Sequence, residues 1–561
     1  MPNLSFPRTV RRRALAVTAA LALATLGLAA GVSPSTAAVS KSVPPILQPS
    51  AKNVTADALP TAQIDGIVWK QAIAGNTVFA GGRFSSARPA GVARGGAGTV
   101  ARTNLMSYNI KSGKMTGFAP KLTGGLTGTS SDPMHPEVLA LALSPDKKIL
   151  YVGGNFTKVG TANRTFFASF TVATGKLRPL NLKLKSPVRA IATVGKTVYL
   201  GGNIKSINGK PRLYAGAVIA KTGALKSWNP SANGVVEALL VNPAKNRVIL
   251  GGHFSTLRGK KALGMGAVTT VGGWVRDWNV NTKIRDYGPN AAILDLVADK
   301  DTVYGAAYGY QSGNFEGVFA VSPTAGNLRW LQDCHGDQYG VAAVGNVVYS
   351  VGHAHFCKNI GGFGELSPQR TLAVTKAAKG TIAHNTQTDN VNYADWSGYK
   401  APAIYNWFPK LNNGTVSGQN QGAWSIKGTS KYIVLGGEFT TVNGIPQQGL
   451  VRFTTPANGA PENMGPQGTS SGMTPSITTS DSTGRTLSWK SNYDLDDHTL
   501  TYKVIRDGKT LTTFTKSSTY YSRPQVTWKD KTAKVGVGYR YQIYVADPDK
   551  NAVRSVVVYS T

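Results

Sequence analysis

After residue 60 the chain alternates apolar and polar positions with a period of two. The runs "VRAIATV" from Val188 and "VEALLV" from Val236 put every second side chain on one face, the pattern of a half-buried strand. Each run ends in a turn such as Gly75-Asn76, Gly195-Lys196 or Gly345-Asn346, or in the segments "SPDKK" and "NPAKN". A second apolar run follows, and its far end is built of small residues. Helical periodicity is almost absent, so the pattern predicts an all-β protein.

The second run recurs along the chain. It reads "VFAGGRF" at Val78, "LYVGGNF" at Leu150, "VYLGGNI" at Val198, "VILGGHF" at Val248 and "IVLGGEF" at Ile433, with degenerate copies at Val303 and Val348. Measured at Gly82, Gly154, Gly202, Gly252, Ala307, Gly352 and Gly437, the steps are 72, 48, 50, 55, 45 and 85 residues. A unit of roughly 45–50 residues is the length of one four-stranded propeller blade, and the two long steps read as blades with insertions. Paired glycines mark close backbone approach, as expected where blades crowd the axis. A third strand such as "YAGAVI" and a Trp-ended segment such as "LKSWNP" complete several units. The expectation is a seven-bladed β-propeller over residues 61–456. The last unit stops at "GLVRF" without a Trp segment, so the N-terminal segment 39–60, around Val54 to Leu59, is predicted to supply the closing strand. Residues 457–474, rich in Gly, Pro, Ser and Thr, read as a linker. Short alternating strands over 475–561 predict a small β-sandwich with Trp489 in its core and Tyr539 or Tyr541 as a corner tyrosine.

The "GGNFTKVG" and "GGHFSTLRG" repeats resemble those of secreted bacterial propellers built from delta-60 repeats, over roughly Ala58 to Pro456. That family carries no settled activity, so the resemblance implies fold and export rather than chemistry. Residues from about Thr474 to Thr561 resemble a fibronectin type III domain, a module that usually serves as a spacer or weak binder.

The N-terminus changes the setting. Arg8, Arg11, Arg12 and Arg13 precede the apolar run Ala14 to Ala30, and small residues follow to Ala38. That is the layout of a signal peptide over residues 1–38, and it predicts a secreted, extracellular or wall-associated protein. An uncleaved anchor is the alternative; no later segment is apolar enough to span a bilayer. The formal charge is +34, and removing the four signal arginines leaves about +30. For an exported chain such charge points to anionic cell-envelope polymers or glycans rather than nucleic acid, or else serves solubility alone. A monomer is expected.

The stretch "CHGDQYGVAAVGNVVYSVGHAHFC" holds both cysteines and three of the seven histidines. In a hairpin centred on Gly345-Asn346, paired residue numbers sum to 691, as do Cys334 and Cys357. Continued without a break, that register puts His353 and His355 on the cysteines' face and His335 with Asp337 on the other. Three readings stand: a Cys334–Cys357 disulfide, a zinc site using the cysteines with His335, His353 or His355, and a catalytic thiol. The insertion "HNTQTDNVNYADWSGYKAPAIYNWF" gathers Tyr393, Trp396, Tyr399, Tyr405 and Trp407, which suits either sugar stacking or packing on the propeller rim. Arg88, Arg94 and Arg102 lie in a glycine-rich insertion that reads as an anion-binding loop or a merely solvated one. Asp494, Asp496 and Asp497, with Asp547 and Asp549, are calcium-type oxygens or ordinary loop acids. No nucleophile, metalloprotease or phosphate-loop motif is present, so no catalytic residue is assigned. The expected function is a non-catalytic envelope-binding protein; the alternative is a secreted hydrolase or lyase acting on carbohydrate. A carboxylate cluster or a His–carboxylate pair in the funnel would favour the alternative.

Overall fold

Each of the seven recurring runs forms the second strand of an antiparallel sheet. The computed structural model describes residues 42–129, 134–387 and 393–560; the expected signal peptide lies outside the described residues. The first strands of the seven sheets are Ile67–Ala74, Glu137–Leu143, Val188–Val194, Val236–Asn242, Ala291–Ala298, Gln338–Val344 and Ala423–Gly428. They pack against one another in that order, and Ala423–Gly428 packs back onto Ile67–Ala74, which closes the ring. The fifth and sixth sheets have fourth strands, Leu328–Asp333 and Lys400–Ile404. In the first three sheets the fourth element shrinks to a single bridge, such as Val218 to Leu225.

Every first strand carries a one-residue bulge at the same place. Pairing passes from Val68–Gly82 to Lys70–Gly81, from Val188–Gly202 to Ala190–Gly201, and likewise in the other five sheets. The extra residue is Trp69, Leu139, Arg189, Glu237, Leu294, Tyr339 or Trp424. The two glycines opposite it have different reasons to be glycine. A Cβ on Gly201 would lie 2.7 Å from Val236 of the next sheet, so the first glycine lets neighbouring sheets meet. A Cβ on Gly82 would lie 2.0 Å from the Ile67 carbonyl of its own sheet, so the second accommodates the bulge.

The N-terminal segment completes the last sheet. Leu59 bridges antiparallel to Arg452, its N–H donating to the Arg452 carbonyl at 2.8 Å, and Thr55 N–H donates to Thr454 at 3.0 Å. Arg452 is only 2% exposed. Its guanidinium donates to the carbonyls of Pro60 (2.6 Å), Lys111 (3.0 Å) and Ile110, tying the last sheet, the N-terminal segment and the first sheet together.

Residues 476–560 form two sheets. Ser476–Asp481, Gly484–Lys490 and Gln525–Asp530 make one; Thr499–Arg506, Lys509–Ser517, Tyr539–Ala546 and two short strands make the other. Trp489, Leu487, Tyr502 and Ile543 fill the core between them, and Tyr541 donates to Asp530 at 2.7 Å. The segment read as a linker is tied down: Asn463 and Met464 N–H groups donate to Asp57 Oδ1 at 3.2 and 3.1 Å. Phe363 and Phe408 of the ring pack on Tyr520 and Tyr521, so the two units share an apolar contact.

Candidate functional site

The bulges determine what the funnel mouth displays. A bulged residue leaves the ladder and re-aims its side chain. Around the ring these positions hold Trp69, Tyr339 and Trp424 in three adjacent sheets, and Arg189 and Glu237 in two others. Trp424 stacks on Tyr339 with ring centres 4.2 Å apart, and Trp69 meets Trp424 edge-on at 4.9 Å. Trp69 and Trp424 are half-buried, while Tyr339 is buried behind its contact with Trp424. Each indole N–H is held by a carboxylate: Trp69 Nε1 donates to Glu137 at 2.7 Å and Trp424 Nε1 to Glu438 at 3.0 Å. Both indoles are therefore held in orientation by the protein itself.

Further charges face one another across the funnel. Arg189 lies 3.1 Å from Glu237, and His253 3.6 Å from the same carboxylate. Lys427 of the seventh sheet reaches Asp295 of the fifth at 3.4 Å, and Asp295 also accepts from Val341 N–H of the sixth at 3.2 Å. Burial raises the Glu237 carboxyl, but Arg189, His253 and Lys70 outweigh it and hold it down at about 2. Burial lowers the Lys70 ammonium, against the pull of Asp295.

A second group sits where the fifth and sixth sheets adjoin this mouth. Asp337 Oδ1 accepts from Gly309 N–H at 3.2 Å and Oδ2 from Tyr339 Oη at 3.2 Å; Tyr339 Oη is also 2.9 Å from His353 Nδ1. Glu316 Oε2 accepts from Gly336 N–H at 2.9 Å and Tyr393 Oη at 3.1 Å. His355 lies 3.0 Å from the same tyrosine oxygen and 2.8 Å from Glu365. Burial raises the Glu316 carboxyl, and the neighbouring Asp337 raises it further; burial likewise raises Asp337. Burial, with Arg370 nearby, lowers His353 to about 3, so its imidazole is neutral at physiological pH. The arrangement offers a proton-holding carboxyl pair beside a neutral histidine, next to an aromatic row.

The cysteine stretch resolves as a disulfide between Cys334 and Cys357. The sulfurs bond to each other, which overturns the cysteine-ligated zinc and catalytic-thiol readings. The face assignment is corrected. Pairs sum to 691 from Val344–Val347 out to Gly340–Val351, but the bulge at Tyr339 shifts the register by one. Beyond it Phe356 N–H donates to the Cys334 carbonyl and His355 N–H to His335. His335 thus comes near His355, ring centres 6.4 Å apart, and Asp337 comes within 3.8 Å of His353. His335 is fully buried, stacked on Tyr393 at 4.0 Å.

The aromatic insertion is split up. Trp407 is buried between Tyr349 and Phe453, its N–H on the Thr55 carbonyl at 3.0 Å. Trp396 is buried against Phe315. Neither offers a face to a sugar. Tyr399 borders a cleft of about 920 Å³ on the opposite rim, with Lys300, Arg329, Lys376 and Lys400. Tyr405 is buried, its hydroxyl accepting from Asn346 Nδ2 at 3.1 Å, and Tyr393 alone of the five reaches the funnel mouth. In the glycine-rich insertion, Arg88 is buried against Gln63 and Gln448. Arg102 donates to the carbonyl of Thr116, fourteen residues on. Arg164, Arg212 and Arg258 repeat that fourteen-residue contact in the next three sheets, so these four charges serve the fold. Sequence reasoning missed Trp69, Tyr339 and Trp424. Their signal was available: each stands one residue after the position paired with a repeat's second small residue.

The family described as "Domain of unknown function (DUF5122) beta-propeller" matches residues 433–462. The fold is a β-propeller. No curated protein matches the chain. The β-propeller domain of Myceliophteria thermophila Cps50 (Swd1) is similar at 9% identity over 71% of this chain and 99% of its own, with a TM-score of 0.38. The computationally designed Ika8 protein is similar at 13% identity over 71% and 99%, with a TM-score of 0.37. A chain of a mitotic checkpoint complex is similar at 11% over 76% and 99%, with a TM-score of 0.39.

Proposed function

We propose that this is an exported, envelope-associated protein whose propeller funnel binds a glycan. The half-buried pair Trp69–Trp424, backed by the buried Tyr339, carries the reading. Aromatic faces held in place by carboxylates, with further carboxylates at the border, match the stacking and hydroxyl recognition that sugars require. The small hairpins on the same rim carry exposed Lys158, Lys210, Lys260 and Lys261, which would add attraction to acidic groups on an envelope polymer. The disulfide and the signal-like N-terminus support an oxidising, extracytoplasmic setting.

A second reading, a hydrolase or lyase at the same mouth, is favoured by one feature. A carboxyl whose pKa is raised by burial and by a neighbouring acid, as at Glu316, is suited to general-acid work. Incubating purified cell-wall glycan with the protein and with Glu316→Gln separates the two. Co-sedimentation without release of reducing ends upholds the binding protein. Release that disappears in Glu316→Gln replaces it with the enzyme.

A further inference from the structure

Five carboxylates converge where the second unit meets the ring, in a chain with only 27 acidic residues. Asp494, Asp496 and Asp497 come from the loop between Gly484–Lys490 and Thr499–Arg506. Asp547 and Asp549 come from the turn after Tyr539–Ala546. One oxygen from each of Asp494, Asp496 and Asp497 lies within 4.8 Å of the others, and the same holds for Asp497, Asp547 and Asp549. Asp497 is common to both groups.

Proximity of acids alone identifies nothing. The decisive feature is Asp494, which is 1% exposed and whose Oδ2 has no hydrogen-bond partner. Its other oxygen accepts from Asp496 N–H at 3.2 Å, which turns the carboxylate toward the group. A buried, unpaired carboxylate oxygen is costly, and the two acids grouped with it, without a counter-charge, add repulsion. Among the described residues, no lysine, arginine or histidine forms an ion pair with any of the five.

We propose that Asp494, Asp496 and Asp497, with Asp547 and Asp549 on the far side of Asp497, bind calcium. The ligand set is all oxygen, is rich in carboxylates and comes from two turns. It suits a large hard cation of irregular coordination better than magnesium, which demands a strict octahedron. The ion would also fix the junction. Asp496 Oδ2 accepts from Ala56 N–H at 2.5 Å in the N-terminal segment, and Asp497 Oδ1 accepts from Gln48 Nε2 at 2.9 Å. The carbonyls of Asp494 and Leu495 accept from Asn406 Nδ2 and Phe408 N–H of the ring at 3.3 and 2.8 Å. One ion therefore braces the closing segment, the sixth sheet and the second unit together.

The test uses the full mature chain stripped with EDTA. Titration calorimetry with calcium should show saturable uptake with Kd of about 10⁻⁴–10⁻³ M, the range of extracellular modules. The melting temperature should rise with calcium by mass action. Asp497→Asn should abolish both effects yet melt in EDTA at or above the parent, because a repelling charge is gone. Asp549→Asn, at an exposed position, should weaken binding about tenfold; it keeps the test open if Asp497→Asn does not fold. No uptake at about 10 mM calcium, unchanged affinity in Asp549→Asn, or equal affinity for magnesium would each overturn the assignment.

Discussion

At the residue scale, the funnel mouth depends on proton positions. Glu316 and Asp337 both have carboxyls raised by burial, and Glu316 is raised further by Asp337. A raised folded-state pKa contributes stability that is full below the unfolded values, about 4, and is lost progressively as pH rises. The protein should therefore lose stability from acid toward alkaline pH through this pair. Glu316→Gln, which cannot ionise, should flatten that alkaline decline in melting curves; an unchanged decline would mean the pair is not its source. Glu237 works in the opposite sense. Its lowered carboxyl stabilises above about 4.3 and fails only as pH falls toward 2. What the sequence could show about single residues was uneven. Cys334 and Cys357 were readable as partners because each sits at one end of a hairpin with a clear turn. The faces of His335 and His353 were not, because a single bulge at Tyr339 inverts the alternation behind it. Trp407 and Trp396 read equally well as a sugar platform or as packing; only their neighbours Tyr349, Phe453 and Phe315 decide.

Among the elements, the repeat alignment transfers directly into register. Gly82, Gly154, Gly202, Gly252, Ala307, Gly352 and Gly437 all occupy the same pairing position beside the bulge. The short partner strand at Leu59 was legible from the missing Trp segment after Phe453. The role of Arg452 was not, because its carbonyl partners at Pro60, Ile110 and Lys111 lie more than 300 residues away in the chain. Arg452→Met should remove the shared donor of the Pro60, Ile110 and Lys111 carbonyls, of which that of Ile110 is buried. Loss of about 1–3 kcal/mol is expected, read as a lower urea midpoint with an unchanged slope. A midpoint equal to the parent's would show that the latch does not depend on this side chain.

Taken as a whole, the molecule uses its charge in two ways. Arg102, Arg164, Arg212 and Arg258 are bound to carbonyls within their own sheets, while rim lysines such as Lys158 and Lys260 stay exposed. Net charge alone cannot separate these uses, and it cannot show that Asp337 acts electrostatically on Glu316 of the neighbouring sheet. Salt distinguishes lysine attraction from aromatic stacking, since exposed charges are screened beyond ~8–10 Å at ordinary ionic strength. The most direct test of the glycan-binding claim is co-sedimentation with purified cell walls from about 0.05 to 1 M salt, comparing the protein with Trp424→Ala. The predicted result is a salt-resistant fraction of binding that falls at least about tenfold, or 1.4 kcal/mol, in Trp424→Ala. Binding that vanishes with salt in both proteins, or that Trp424→Ala leaves unchanged, would contradict a glycan site at the funnel mouth.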